Sequence, residues 1–172
     1  MEVQPEGRGT ALSTEDTTAK VRSADEAVAW RDGAPGPVVF TNGVFDLLHV
    51  GHVAVLEAAA GFGGSLVVGV NDDASAARLG KGPDRPVVPA VDRARVIAAL
   101  ACVDCVVLFD DDTPLRLVEA LQPDVIVKGG DYTPDSVVGA EVVRQRGGRV
   151  EIVPIIAGHS TTRIVERLRG TS

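Results

Sequence analysis

The sequence predicts an α/β fold, a doubly wound five-stranded parallel sheet of the Rossmann-like kind. Strand-like apolar runs alternate with helix-like stretches from residue 38 to the end of the chain, the pattern of right-handed βαβ units. The runs are also continuously apolar rather than alternating, as strands are when both faces of a sheet are covered. A length of 172 residues suits one domain with a tail, and about 150 residues are enough to bury a real core. With aromatics at 3%, Ala, Val and Leu must fill that core.

The elements follow in order. Residues 1–20 are polar and without periodicity, so 1–22 read as a disordered leader and 23–172 as the domain. A short helix is predicted over Ser23–Trp30, ended by Gly33, Pro35 and Pro37. The strands are predicted at Val38–Thr41, Leu66–Val70, Val103–Phe109, Val125–Lys128 and Val150–Val153. Helices are predicted near 50–61, 72–79, 90–100, 113–121, 136–146 and 160–169.

Composition excludes several function classes. Lys plus Arg number 17 against 24 for Asp plus Glu, a net charge of −7 that opposes nucleic-acid or anionic-membrane binding. No apolar run approaches the ~20 residues of a membrane span, and the first 36 residues carry no signal-peptide pattern. Cys102 and Cys105 are too few for a disulfide scaffold and read as packing residues, so the expected location is cytoplasmic.

In a doubly wound sheet, ligands sit beyond the carboxyl ends of the strands, so the chemistry is sought there. After the first strand comes Thr41-Asn42-Gly43-Val44-Phe45-Asp46-Leu47-Leu48-His49-Val50-Gly51-His52. His49 and His52 fall at a helix N-terminus, whose amides and dipole attract an anion. A zinc site using His49, His52 and His159 is the rival, but neither HExxH nor a suitable cysteine accompanies it, and no metal site is predicted. Asp72 or Asp73 is a natural helix cap, and Lys81 lies on a Gly-Lys-Gly-Pro loop suited to gripping and releasing a phosphate. Arg93 falls on the inward stripe of its helix, where it needs either a strand-end Asp or a ligand phosphate. Lys128-Gly129-Gly130-Asp131 ends another strand, with Asp131 placed to meet ribose hydroxyls. Ser160-Thr161-Thr162-Arg163 opens the last helix as an anion cradle, with Ser160 also its cap.

The Thr-Asn-Gly-x-Phe-Asp-x-x-His-x-Gly-His stretch at 41–52, with Ser-Thr-Thr at 160–162, resembles the HxGH nucleotidyltransferases over about residues 23–170. Arg78-Leu79-x-Lys-Gly-Pro, Phe109-Asp-x-Asp-Thr-Pro-Leu115 and Pro123-Asp-Val-x-Val-Lys-Gly-Gly-Asp-Tyr132 look like the bacterial heptose 1-phosphate adenylyltransferases. In many of these relatives the domain is fused to a sugar kinase, and His159 departs from their pattern.

The resemblance implies a Rossmann-like nucleotidyltransferase fold and transfer of AMP from ATP to a sugar 1-phosphate, with Mg2+ on the triphosphate and a homodimeric assembly. It implies catalytic roles for His49, His52, Lys81 and Arg163. Nucleotide contacts would come from Thr41, Asn42, Gly43, Phe45, His49, His52, Arg93, Lys128, Gly129, Asp131, Ser160, Thr161 and Thr162. Asp46, Lys81 and Asp72 would meet the sugar phosphate. Cytidylyl transfer from CTP to glycerol phosphate or another phospho-alcohol is the alternative chemistry. A nucleotide sensor that has lost turnover is the alternative class.

Overall fold

The computed structural model describes residues 16–80, 82 and 84–170. Within them, six strands form one parallel sheet: β1 (Val21–Arg22), β2 (Val38–Gly43), β3 (Ser65–Asn71), β4 (Cys105–Phe109), β5 (Val125–Gly129) and β6 (Arg149–Val153). Their order across the sheet is β1-β4-β3-β2-β5-β6. The chain thus winds outward from β2 to one side, then returns to place β5 on the other. That reversal leaves a crevice between β2 and β5 at the carboxyl edge.

The helices are α1 (Ala24–Arg31), α2 (Val50–Ala60), α3 (Asp73–Arg78), α4 (Ala90–Ala98), α5 (Leu115–Leu121), α6 (Ala140–Gln145) and α7 (Thr161–Leu168). Val39, Val68, Val106 and Val127 face a core shared with Leu56 of α2 and Ile97 of α4. Their neighbours Phe40, Val67, Val107 and Ile126 face the other, shared with Ala27 of α1, Leu117 of α5 and Val143 of α6. Consecutive residues are therefore buried on opposite faces, which is the physical origin of the unbroken apolar runs.

The leader ends earlier than composition suggests. Thr17–Lys20 form a 3-10 turn capped by Asp16, and Val21 and Arg22 add an edge strand against Val106 and Val107 of β4. Six strands therefore replace the expected five. Polar composition concealed this pairing because a two-residue edge strand draws on backbone hydrogen bonds and has too few residues to show a pattern. Residues 1–15 of the expected leader lie outside the described residues.

Two carboxylates tie the start of the sheet together. Asp104, just before β4, donates its N–H to Leu66 O (3.0 Å) and accepts Leu66 N–H on its side chain (2.8 Å). Asp124, just before β5, repeats the arrangement on Val38 of β2, at 2.8 Å and 2.7 Å. Each tie satisfies a strand-end amide that the parallel ladder leaves open.

The last segment is built differently. No residue from 154 to 170 is buried. Helix α7 nevertheless has Ile164, Val165 and Leu168 on one side, and Leu168 is 79% exposed.

Candidate active site

The end of β2 and the loop to α2 set the floor of a cavity of about 460 Å3. Thr41 is buried there, beside Asn42, Val44, Phe45 and Asp46. Phe45 is in the left-handed region at φ 50°, strained for a residue with a side chain. Its ring folds back over Gly43, where a Cβ would stand 3.2 Å from it, and meets His52 edge-on at 5.2 Å. Gly43 therefore makes room for Phe45 and is not itself on the cavity wall.

His49 is the N-cap of α2. Its Nδ1 accepts the Gly51 N–H at 3.1 Å, so the neutral ring carries its proton on Nε2, as a donor. Burial, and then the nearby His159, hold its pKa below the ordinary histidine value. His49 and His52 stack at 3.8 Å between centroids. A Cβ at Gly51 would lie 3.0 Å from the His49 ring, so glycine is required between them.

The β5 wall brings Lys128, Gly129 and Tyr132. Lys128 Nζ donates to Asn42 O at 3.1 Å and to Asn42 Oδ1. Burial pushes its pKa down to about 8, and among the described residues no carboxylate pairs with it. It is a desolvated cation answered only by amide oxygens, a setting that favours an incoming anion. Gly129 is small for a packing reason, since a Cβ there would strike Val55 of α2 at 2.6 Å.

The far wall is the β6–α7 connection, with Ile155, His159, Ser160, Thr161 and Thr162. Ser160 caps α7 by accepting the Arg163 N–H at 3.2 Å, and Thr161 Oγ1 donates to Leu47 O at 3.4 Å. Arg163 lies behind this wall, in an adjoining niche of about 100 Å3 that also touches His49, His159 and Arg167.

Besides Gly43 and Arg163, three expected contacts are placed elsewhere. Arg93 is 1% exposed, and its guanidinium donates to Val88 O, Val44 O, Asn71 O and Asp73 Oδ1 at 2.5–2.8 Å. Those acceptors engage its N–H groups, so Arg93 splices loops together and does not line the cavity. Asp72 caps α3 by accepting Ser75 N–H at 2.7 Å and is likewise off the wall. Asp131 is exposed outside the cavity, whereas its neighbour Tyr132 lines it. Lys81 lies outside the described residues.

Asp46 is at the wall but already engaged. It accepts Arg85 Nε on one oxygen and the Val87 and Val88 amides, at 2.8 and 2.9 Å, on the other. Arg85 itself lines the cavity and was missed by the sequence reading, since its partner is 39 residues away. Its one local signal was its place just after the Gly-Lys-Gly-Pro loop. No group of three or more His, Cys, Asp or Glu arranged for a metal occurs among the described residues. The thiols of Cys102 and Cys105 are both pushed up by burial, that of Cys105 to about 11, as packing residues would be.

Residues 40–167 match the family model described as cytidylyltransferase-like. A curated relative, bifunctional protein HldE of Geotalea uraniireducens (strain Rf4), is 56% identical over 157 residues, covering 90% of this chain and 32% of its own. HldE of Citrifermentans bemidjiense is 53% identical over 156 residues, covering 89% and 32%. The chain thus spans about a third of the length of these relatives. Among solved structures, a lipopolysaccharide core biosynthesis protein from Thermoplasma volcanium GSS1 is 32% identical, with a TM-score of 0.56 over 69% of this chain and 95% of that one. Pantothenate synthetase from Thermus thermophilus, at 20% identity and TM-score 0.55 over 85% and 67%, shares the fold alone.

Proposed function

This chain belongs to the cytidylyltransferase-like family of nucleotidyltransferases, and we propose that it transfers AMP from ATP to a sugar 1-phosphate, giving an ADP-sugar and pyrophosphate. One observation carries the reading. A stacked histidine pair at a helix N-terminus shares a cavity with a part-buried lysine that no carboxylate among the described residues pairs, and with the hydroxyls of Ser160, Thr161 and Thr162. A heptose 1-phosphate is the favoured acceptor. The HldE relatives, the lipopolysaccharide-core structure and the motifs at 78–83, 109–115 and 123–132 support it.

A phosphate oxygen of the sugar attacks the α-phosphorus of ATP, and the bond from that phosphorus to the β-bridging oxygen breaks. The attacking phosphate is already ionised, so positioning and charge stabilisation suffice. His49, through Nε2–H, and His52 face the α-phosphate and the bridging oxygen. Ser160, Thr161 and Thr162 receive the β- and γ-phosphates, with Arg163 behind them, and Lys128 supplies charge where Asn42 holds it. Thr41 and Gly129 flank the nucleoside, and Lys81 is assigned to the sugar phosphate.

Mg2+ arrives as part of the nucleotide substrate and neutralises phosphate charge. The cavity suits this mode, because the oxygens of its carboxylate, Asp46, are engaged by Arg85, Val87 and Val88. We place the reaction in the cytoplasm. No helix among the described residues is long and apolar enough to cross a membrane. We further infer a homodimer, with no nucleic-acid partner.

The family description favours one second reading, cytidylyl transfer from CTP. Pyrophosphate release is measured with ATP or CTP, Mg2+ and a panel of sugar 1-phosphates and glycerol phosphate. Turnover with ATP and a heptose 1-phosphate is expected, falling on the order of 10²–10³ in His52→Ala. Release only with CTP, or near-wild-type turnover in His52→Ala, overturns the reading.

A further inference from the structure

Arg85 reaches the cavity from the connection between α3 and α4, beside Asp46 of the β2–α2 loop. Its side chain is only 9% exposed, and Asp46 beside it only 1%. Nε donates to Asp46, while Asp46 is itself pinned by the Val87 and Val88 amides. The carboxylate is therefore a fixed strut that sets the plane of the guanidinium. The terminal nitrogens Nη1 and Nη2 have no hydrogen-bond partner among the described residues. With Nε held by Asp46, these nitrogens are left to the cavity, and their fork matches the oxygens of a phosphate. The loop bearing Arg85 is tied to α7 by Asp84, which accepts Arg169 Nη2 at 2.6 Å.

We propose that Arg85 binds the attacking sugar phosphate, with Asp46 as its positioning residue. The inference rests on the adenylyl-transfer reading. That reaction brings two anionic substrates together, and they need separate sites. The histidine pair and the hydroxyls of the β6–α7 wall face the triphosphate. Arg85 enters from the Asp46 side of the cavity and meets the β6–α7 wall near Thr162, where an acceptor phosphate would lie next to the triphosphate. If Arg85 served only to neutralise Asp46, a lysine would replace it fully. If its fork holds a phosphate, a lysine would restore the fold and only part of the affinity.

The test is calorimetric titration of inorganic phosphate into the full chain saturated with an α,β-methylene ATP analogue, in which the bond that the reaction breaks is replaced, with sugar-phosphate KM measured alongside. Arg85→Ala is expected to weaken phosphate binding by about tenfold or more and to raise the sugar-phosphate KM similarly. Affinity for the ATP analogue should stay within about twofold. Arg85→Lys should keep the wild-type melting temperature while recovering less than half of the lost affinity; it carries the test by itself if the alanine variant does not fold. Full recovery with lysine, unchanged phosphate binding, or an equal loss of ATP-analogue affinity overturns the proposal. A wild-type protein that binds phosphate through Arg85 yet releases no pyrophosphate with any sugar 1-phosphate overturns its identification as the acceptor site. In that outcome the adenylyl-transfer reading fails, and the anion site itself stands.

Discussion

Lys128 holds its ammonium against two oxygens of Asn42, where burial lowers its pKa to about 8. The sign of the consequence follows from linkage. Between about pH 8 and the unfolded value of about 10.4 the folded chain binds fewer protons than the unfolded one, so burial of this charge destabilises the free protein at neutral pH, and stability recovers as pH rises through that window. A bound phosphate reverses the preference by favouring the charged form. Nucleotide affinity should therefore fall as pH rises above about 8, and binding near pH 8.5 should take up a proton. Calorimetry in buffers of different ionisation enthalpy measures the uptake, and Lys128→Met should abolish both effects. At this scale the sequence was legible where backbone and chemistry coincide. The two histidines, Lys128 and Ser160 stand where helix starts and strand ends had to put them. Arg93 was misread because helical spacing reports an inward direction without saying whether core or cavity lies there. A strand-end Asp does meet it, Asp73, but its other partners Val44 O, Asn71 O and Val88 O are carbonyls, which no side-chain pattern marks.

Elements were legible in proportion to the apolar surface they bury. Strands β2 to β5 announce themselves because both faces are covered, and α4 because Ala94, Ile97 and Ala98 share one buried side. Helix ends were blurred by small local devices. Ala140 begins α6 later than expected, after a separate 3-10 turn at Pro134–Ser136, and α5 starts at Leu115, following Pro114. Strand β4 begins at Cys105 because Val103 is still bonded to Leu100 and Asp104 is turned onto Leu66. The paired ties of Asp104 and Asp124 make a prediction at this level. Replacing either with Ala removes the acceptor of a strand-end amide and should cost about 1–3 kcal/mol, read from the midpoint of urea unfolding. An unchanged midpoint would mean that solvent replaces the carboxylate without loss.

For the whole molecule, the net charge of −7 describes the outer surface more than the cavity, whose walls bring together Arg85, Lys128, His49, His52 and His159. The inferred homodimer is a property of this scale. Sedimentation equilibrium at micromolar concentration should give twice the 17.9 kDa chain mass, and a single-chain mass throughout would refute it. Helix α7 carries a consequence for turnover. Its start brings the hydroxyls of Ser160, Thr161 and Thr162 to the cavity, yet nothing between 154 and 170 is buried, so little of the chain's own interior fixes that wall in place. On the proposed reading, a nucleotide bound there would supply part of that cohesion, and some of its binding energy would go into ordering the wall. The same weak anchorage lets that wall relax once the pyrophosphate bond has broken. On that reading, a segment docked more firmly would hold ATP better and let product go more slowly, so loose packing here would favour release.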